Sequence, residues 1–300
     1  MRIYIIGCGG MLGQEVYHYF KSKGHDILAT DIDVNERWLQ YQDIRNYTSL
    51  FENVTNFKPD IIMNLAADTD LERCEMYQHV AMTTNAGGSA NCVMLAELLD
   101  VPYLYVSTAG IFDGKQEFYD DYANPNPLCV YAKSKYMGEQ FAQSTKKHIV
   151  LRCGWSMGSG PKDKKFIQKI WQQIKSGATE LNVVTDKQGT PTYVKDFTLQ
   201  IEKLIETKTY GTFNTVCKGD ASRYDVAVEF LKLLNLQDKI KINKVSSDYW
   251  SNYYFAPRPD SEKLLTTKLD TLELNVMRPW KEALGEYIKI YQNYFKMDGN

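Results

Sequence analysis

The sequence predicts an α/β fold, a doubly wound parallel sheet with a smaller C-terminal lobe. Two observations carry this. Short apolar runs rich in β-branched residues alternate with helical stretches of about ten or more residues through roughly the first half of the chain, the pattern of βαβ units whose right-handed crossovers place helices on both sheet faces. The first of these runs also stops abruptly at a cluster of glycines that opens the first helix.

Residues 2–6 read as a buried strand. Residues 11–23 have helical spacing, with Leu12, Val16 and Phe20 inward and Gly24 as the stop signal. Residues 26–30 form the next strand, closing on Asp31. A helix over 47–57 leads through Pro59 to a strand at 60–64. A long helix over 82–99 and Pro102 precede the strand 103–106, and a helix over 131–146 feeds the strand 148–152. Beyond that the alternation is less regular. Gly158-Ser159-Gly160-Pro161 is a loop, helices fall near 163–176, 193–207, 222–234 and 280–296, and Pro257-Arg258-Pro259 is a turn. No repeat, low-complexity tract or long linker interrupts the chain, so the cleft between sheet and lobe is the default site.

A net charge of -2 and a pI near 6.1 give no broad attraction for nucleic acid or an anionic membrane. The aromatic share of 13% would allow base stacking, but no basic groove accompanies it. The six cysteines include no C-x-x-C pair and the four histidines are dispersed, so neither a disulfide framework nor a metal site is expected. The apolar run before Gly7 is too short for a signal-peptide core, and nothing approaches a membrane span. The expectation is a soluble, reduced, cytoplasmic protein that binds neither membrane nor nucleic acid.

Gly7-Cys8-Gly9-Gly10-Met11-Leu12-Gly13 follows the first strand. Glycines at this spacing permit a tight turn, close backbone approach to a pyrophosphate and close helix–strand packing, with the anion at the helix N-terminus. Taken alone, such glycines also serve plain chain reversal. The strand–loop–helix context makes Gly7, Gly10, Met11, Leu12 and Gly13 candidates for holding a dinucleotide. Asp31 ends the second strand, where a carboxylate accepts from ribose hydroxyls and repels a 2′-phosphate, which leans toward NAD. Arg37 and Arg45 downstream keep NADP open. Asp43 and Ile44 are candidates to frame the adenine, and Ala66 and Ala67 offer small residues after the third strand. Residues 1–153 are thus expected to form a Rossmann-type NAD(P)-binding domain, and 154–300 mainly a substrate lobe partly interleaved with it.

Tyr131 and Lys135 stand four residues apart, on one face of a helix. A phenol titrates near ~10 and is a poor acid or base at neutral pH, whereas a neighbouring cation favours its ionised form. With 21 tyrosines in the chain, such a pair arises readily by chance. The other signals in the chain are what give it weight.

Taken together these stretches resemble the extended short-chain dehydrogenase/reductase family, and within it the dTDP-4-dehydrorhamnose reductase branch. The resemblance runs nearly end to end. It includes Gly7–Gly13, Asn64-Leu65-Ala66-Ala67-Asp68-Thr69, Ser107-Thr108, Ile111-Phe112-Asp113-Gly114, 126–139, Leu151-Arg152 with Trp155, Asp186, Gly189-Thr190-Pro191-Thr192-Tyr193, Arg258-Pro259 and Lys268-Leu269. It implies NADPH or NADH as cofactor and a nucleotide sugar as substrate. Tyr131 would be the acid that protonates a substrate carbonyl. Lys135 would lower its pKa and bond the nicotinamide ribose, and Thr108 would hydrogen-bond the same carbonyl oxygen. Trp155, Ala109 and Arg258 would face the sugar nucleotide, and Asn85 would open the helix before the fourth main strand.

The chain departs from the family where Asp and Tyr usually follow the Ser-Thr pair; here Ala109 and Gly110 stand instead. Neither supplies the carboxylate pair a 4,6-dehydratase needs, while carbonyl reduction needs only hydroxyl, phenol and ammonium. The expected activity is therefore reduction of the 4-keto group of a nucleotide-linked 6-deoxy-4-ketohexose, in surface-polysaccharide sugar synthesis. A sugar-nucleotide epimerase and a non-catalytic regulatory subunit, such as the methionine adenosyltransferase subunit that resembles the same branch, stay open as alternatives. So does a homodimer, and no metal ligands are placed for such a contact.

Overall fold

The computed structural model describes residues 1–296. Its main sheet has seven parallel strands, in the spatial order Gly211–Asn214, His148–Cys153, Tyr103–Thr108, Ile61–Asn64, Arg2–Ile6, Asp26–Asp31 and Gln40–Tyr41. The chain reverses direction of travel across the sheet beside Arg2–Ile6. This is the doubly wound arrangement, and ligands of such sheets bind at the carboxyl ends of the strands next to that reversal.

Both faces of the sheet are covered, and the strand sequences show why. Ile3 and Ile5 point into one core with Val16, Phe20, Phe197, Ile201 and Leu204. Tyr4 and Ile6 point into the other, with Leu50, Val54, Leu95 and Tyr105. Side chains alternate along a strand, so a strand buried on both faces must be apolar throughout. The helix Met11–Ser22 buries Gly13, Val16 and Phe20 and is stopped by Gly24 at φ 80°. The helix Tyr47–Phe57 begins at Asn46, whose side chain accepts from Ser49 N at 3.2 Å.

Several elements differ from expectation. The helix expected at 82–99 begins with a π-helical turn, Met82–Gly87, before the α-helix Gly88–Leu99. Asn85 in that turn is buried rather than capping a helix. It accepts from Asp68 N at 2.8 Å, and it donates to Asp68 O at 3.1 Å and to Ser134 Oγ at 2.9 Å. The wider turn delivers one amide to two neighbouring segments. The strand Gly211–Asn214 and the parallel pair Glu180–Val184 with Lys241–Val245 were not anticipated. The helix expected over 280–296 is Trp280–Ile290 followed by turns, and that over 163–176 is Phe166–Lys175. The latter starts late because Asp163 folds back, its side chain accepting from Lys165 N at 2.7 Å and Gly158 N at 3.4 Å.

Helix Val194–Glu206 and strand Gly211–Asn214 return the chain to the main sheet from its C-terminal half. The rest of that half has its own core, built on Trp171, Phe230, Leu284 and Tyr287. Among the described residues no helix is long and apolar enough to cross a membrane, and no cluster of His, Cys, Asp and Glu could hold a metal. All six cysteines are free.

Candidate active site

The glycine loop leaves the sheet at its carboxyl edge with a geometry only glycine permits at two points. Gly7 has φ 80°, and a β-carbon there would lie 2.3 Å from Ala66 N. One on Gly13 would lie 2.4 Å from Gly7 O. Both contacts lie well inside van der Waals limits, so loop, first helix and the segment after Ile61–Asn64 are pressed together. Gly10 differs: a β-carbon there would meet only Gly7 O, at 3.8 Å. Gly10 precedes Met11 as the N-terminal cap and supplies no side-chain bond, so the first N–H groups of that helix are free for an anionic ligand. These features fit a dinucleotide, whose pyrophosphate Gly10, Met11 and Leu12 would hold.

The other cofactor candidates fall as follows. Asp31 accepts from Gly9 N and from Asp33 N, each at 2.9 Å, at the rim of the loop. Asp43 is gripped by Arg45 at 2.6 Å, and that guanidinium holds its carboxyl below the usual carboxylate range. Arg45 is thereby committed, while Arg37 is exposed. Ile44 is buried against Gly88 and its carbonyl accepts from Asn91 at 2.9 Å. Ala66 N donates to Asn64 Oδ1 at 3.1 Å. Ala67, next in the chain, is half-buried.

Thr108 ends the strand Tyr103–Thr108, and its Oγ1 accepts from Gly110 N at 3.2 Å. Tyr131 and Lys135 lie one turn apart on the helix Val130–Gln143. That helix is held at a fixed height on the sheet by a buried ion pair. Glu139 meets Arg152 at 2.6 Å, with exposures of 0% and 5%, and Ser107 Oγ donates to Glu139 at 2.6 Å. It also packs backbone-close on the π-helical turn, since a β-carbon on Gly138 would lie 2.5 Å from Asn85 O.

Burial pushes the Tyr131 phenol above its ordinary value, and the Thr108 hydroxyl alongside pulls it part of the way back. Lys135 is brought down to about 8 by burial, a shift that the neighbouring Cys153 and Glu139 oppose. Its Nζ lies 4.1 Å from the centre of the Tyr105 ring. Desolvation, rather than the charge of Lys135, thus dominates the phenol in the free protein. Thr108 and Tyr131 meet at the sheet's carboxyl edge, Lys135 lies one turn further along the helix, and the Cys153 thiol is near both titrating groups.

Trp155 lies beside them and donates its indole N–H to Glu262 Oε2 at 2.7 Å. Ala109 is fully buried and packs with Ile111, Phe112 and Tyr119. Arg258 is drawn aside: it pairs with Glu72 at 2.8 Å, donates to Ala256 O at 2.9 Å and covers the Tyr254 ring. Three residues at the site carry no motif in the sequence. Glu262 and Arg223 come from distant segments. Cys153 closes the strand His148–Cys153, where only its position at the end of a sheet strand could have marked it.

The chain has relatives over nearly its whole length. A dTDP-4-dehydrorhamnose reductase from Aggregatibacter actinomycetemcomitans is 31% identical over 297 residues, 94% of this chain and 97% of the relative. Methionine adenosyltransferase 2 subunit beta from Danio rerio is 24% identical, covering 97% of this chain and 91% of that protein. Among solved structures, dTDP-4-dehydrorhamnose reductase from Bacillus anthracis in complex with NADP superposes with a TM-score of 0.88 at 29% identity, over 96% of this chain and 99% of the other. The family model described as RmlD substrate binding domain matches residues 1–293. With its doubly wound sheet, glycine loop and tyrosine–lysine helix, the chain belongs to the RmlD substrate binding domain family.

Proposed function

We propose that this protein reduces the 4-keto group of a nucleotide-linked 6-deoxy-4-ketohexose, with NADPH or NADH as reductant, in the synthesis of surface-polysaccharide sugars. The observation that supports it best is the Thr108 hydroxyl at the Tyr131 phenol, with Lys135 one turn further along the same helix. A bound reduced nicotinamide would supply hydride to the ketone carbon. Thr108 and Tyr131 donate hydrogen bonds to the ketone oxygen, aimed where negative charge develops. Tyr131 then gives up its proton to that oxygen. A phenol pushed up by burial keeps the proton until the oxygen becomes basic enough to take it. Lys135, one turn away, would stabilise the phenolate left behind and bond the nicotinamide ribose. Gly10, Met11, Leu12 and Gly13 would hold the pyrophosphate, and Asp31 would accept from the adenosine ribose. Trp155 faces the sugar. Arg258, paired with Glu72, contributes to the rim.

Purified protein mixed with NADH or NADPH and a panel of nucleotide 4-ketosugars tests this. Net cofactor oxidation with one alcohol formed per cofactor consumed is the expected outcome. Isomerised sugar with cofactor unchanged would mean an epimerase. A second reading, a binding subunit without turnover, is favoured by the similarity to methionine adenosyltransferase 2 subunit beta. It predicts nucleotide binding with no cofactor oxidation on any sugar of the panel.

A further inference from the structure

Immediately after Thr108 the chain offers no polar side chain, since Ala109 has a methyl and Gly110 has nothing. A carboxylate from the far end of the chain occupies that face. A β-carbon placed on Gly110 would lie 3.5 Å from Glu262 Oε1 and 3.5 Å from Thr108 Oγ1. The two oxygens therefore flank one point and are at most twice that distance apart.

Glu262 is held there by structure on three sides. Its backbone pairs with Gly189 in parallel register. Its Oε2 accepts the Trp155 indole N–H at 2.7 Å. The indole is itself wedged against Gly189, where a β-carbon would meet Trp155 Cε2 at 2.3 Å. On its other face the Arg223 guanidinium stacks at 3.6 Å. Trp155 adopts φ 23°, a left-handed conformation that a bulky residue takes at a cost on the order of 1–3 kcal/mol. Strain of this kind persists where surrounding structure over-determines it, as at ligand clamps. Oε1, in contrast, receives no hydrogen bond from any described residue. A carboxylate has room for several donors, so this oxygen of a half-buried residue is a ready acceptor beside the Thr108 hydroxyl.

We propose that Glu262 is the specificity-determining acceptor of this site, its Oε1 taking a hydrogen bond from the sugar hydroxyl next to the ketone while Thr108 and Tyr131 hold the ketone oxygen. Trp155 and Arg223 are positioning residues that aim the carboxylate. This assignment rests on the ketosugar reading above. Donation to a fixed carboxylate gives strong discrimination, because a sugar lacking that hydroxyl leaves a desolvated anion without its donor.

The test measures binding first, so that it does not depend on turnover. Thymidine diphosphate and thymidine diphosphate-glucose are titrated into wild-type protein, Glu262→Gln and Glu262→Asp by calorimetry, with NADPH affinity as the check on folding. Glu262→Gln keeps the shape and removes the charge. It is expected to bind the diphosphate as wild type does and the sugar-bearing ligand about 10- to 100-fold more weakly, with Glu262→Asp intermediate. With a 4-ketosugar substrate, KM is expected to rise by a similar factor while kcat changes less. A substrate lacking the hydroxyl beside the ketone should lose affinity for wild type but be treated alike by wild type and Glu262→Gln. Equal affinities of wild type and Glu262→Gln for the sugar-bearing ligand would overturn the assignment, as would an equal loss for the diphosphate alone. Absence of cofactor oxidation alongside a sugar-dependent loss would instead sink the reductase reading and leave Glu262 in place.

Discussion

Lys135 is buried, and its ammonium is held at about 8 against an ordinary value of 10.5, chiefly by desolvation. A displacement of that size corresponds to about 3 kcal/mol. The sign follows from proton counts. Below pH 8 the amine is protonated both folded and unfolded, and the folded state bears the whole cost. Between about 8 and 10.5 the unfolded chain holds the extra proton, so stability climbs with pH. Lys135→Met removes the titration and nearly preserves the side chain's length. The contact with the Tyr105 ring, at 4.1 Å, is made by the charged amine alone, so the displaced pKa already reflects it. At pH 7 the variant is therefore expected to be more stable than wild type by up to about 3 kcal/mol. Wild type should regain about 3 kcal/mol relative to the variant as the pH rises to about 10.5. Urea unfolding of both proteins at pH 7, 8.5 and 10, followed by tryptophan fluorescence, reads the difference directly, because other titrations cancel between them. The same variant should lose ketosugar reduction, a trade of function for stability. Stability curves that stay parallel from pH 7 to 10 would refute the reasoning, and so would a variant less stable than wild type at pH 7.

Tyr131→Phe is expected to lower turnover by about 10²- to 10⁴-fold and to leave NADPH affinity, read by fluorescence quenching, nearly unchanged; unaltered turnover would remove the phenol from the mechanism. Gly7→Ala and Gly10→Ala separate packing from ligand approach. The first places a β-carbon 2.3 Å from Ala66 N at φ 80° and should cost at least about 2 kcal/mol of stability, seen as a lower thermal midpoint. The second meets only Gly7 O at 3.8 Å, so the midpoint should hold while NADPH affinity falls; unchanged affinity would move the pyrophosphate away from that helix end. Arg152→Met leaves Glu139 buried without its partner at 2.6 Å and should cost about 3–5 kcal/mol in urea unfolding, a loss that a purely superficial pair would not show.

What the sequence shows and what it hides divide along a physical line. Ile3 to Ile6 read as a buried strand because each residue must be apolar when both faces are covered, and that demand is local. Gly7 and Gly13 read as a tight loop because Gly13 folds back on Gly7 within one strand–loop–helix unit, whereas the contact of Gly7 with the Ala66 backbone is made only in the fold. The tyrosine–lysine pair is legible for the same reason, as two residues one helical turn apart. The strand Gly211–Asn214 is not: it is four residues long and exists only because His148–Cys153 offers it an edge. The π-helical turn depends on Asn85 meeting Asp68 and Ser134, neither of them its neighbour in sequence. Protonation is hidden too. The spacing of Tyr131 and Lys135 suggests a cation lowering a phenol, whereas in the fold burial moves the phenol up and the ammonium down. That pairing of effects suits a proton donor more than a preformed phenolate, because the phenol keeps its proton while Lys135, still an ammonium below about pH 8, is ready to stabilise the phenolate as it forms. The substrate side is hidden most completely. Glu262 reaches the site through a two-residue strand beside Gly189, and Arg223 reaches it through an indole. Cofactor contacts are built from consecutive residues and can be read in order, whereas sugar contacts are assembled across the chain and become visible only when Gly110, Trp155 and Glu262 stand side by side.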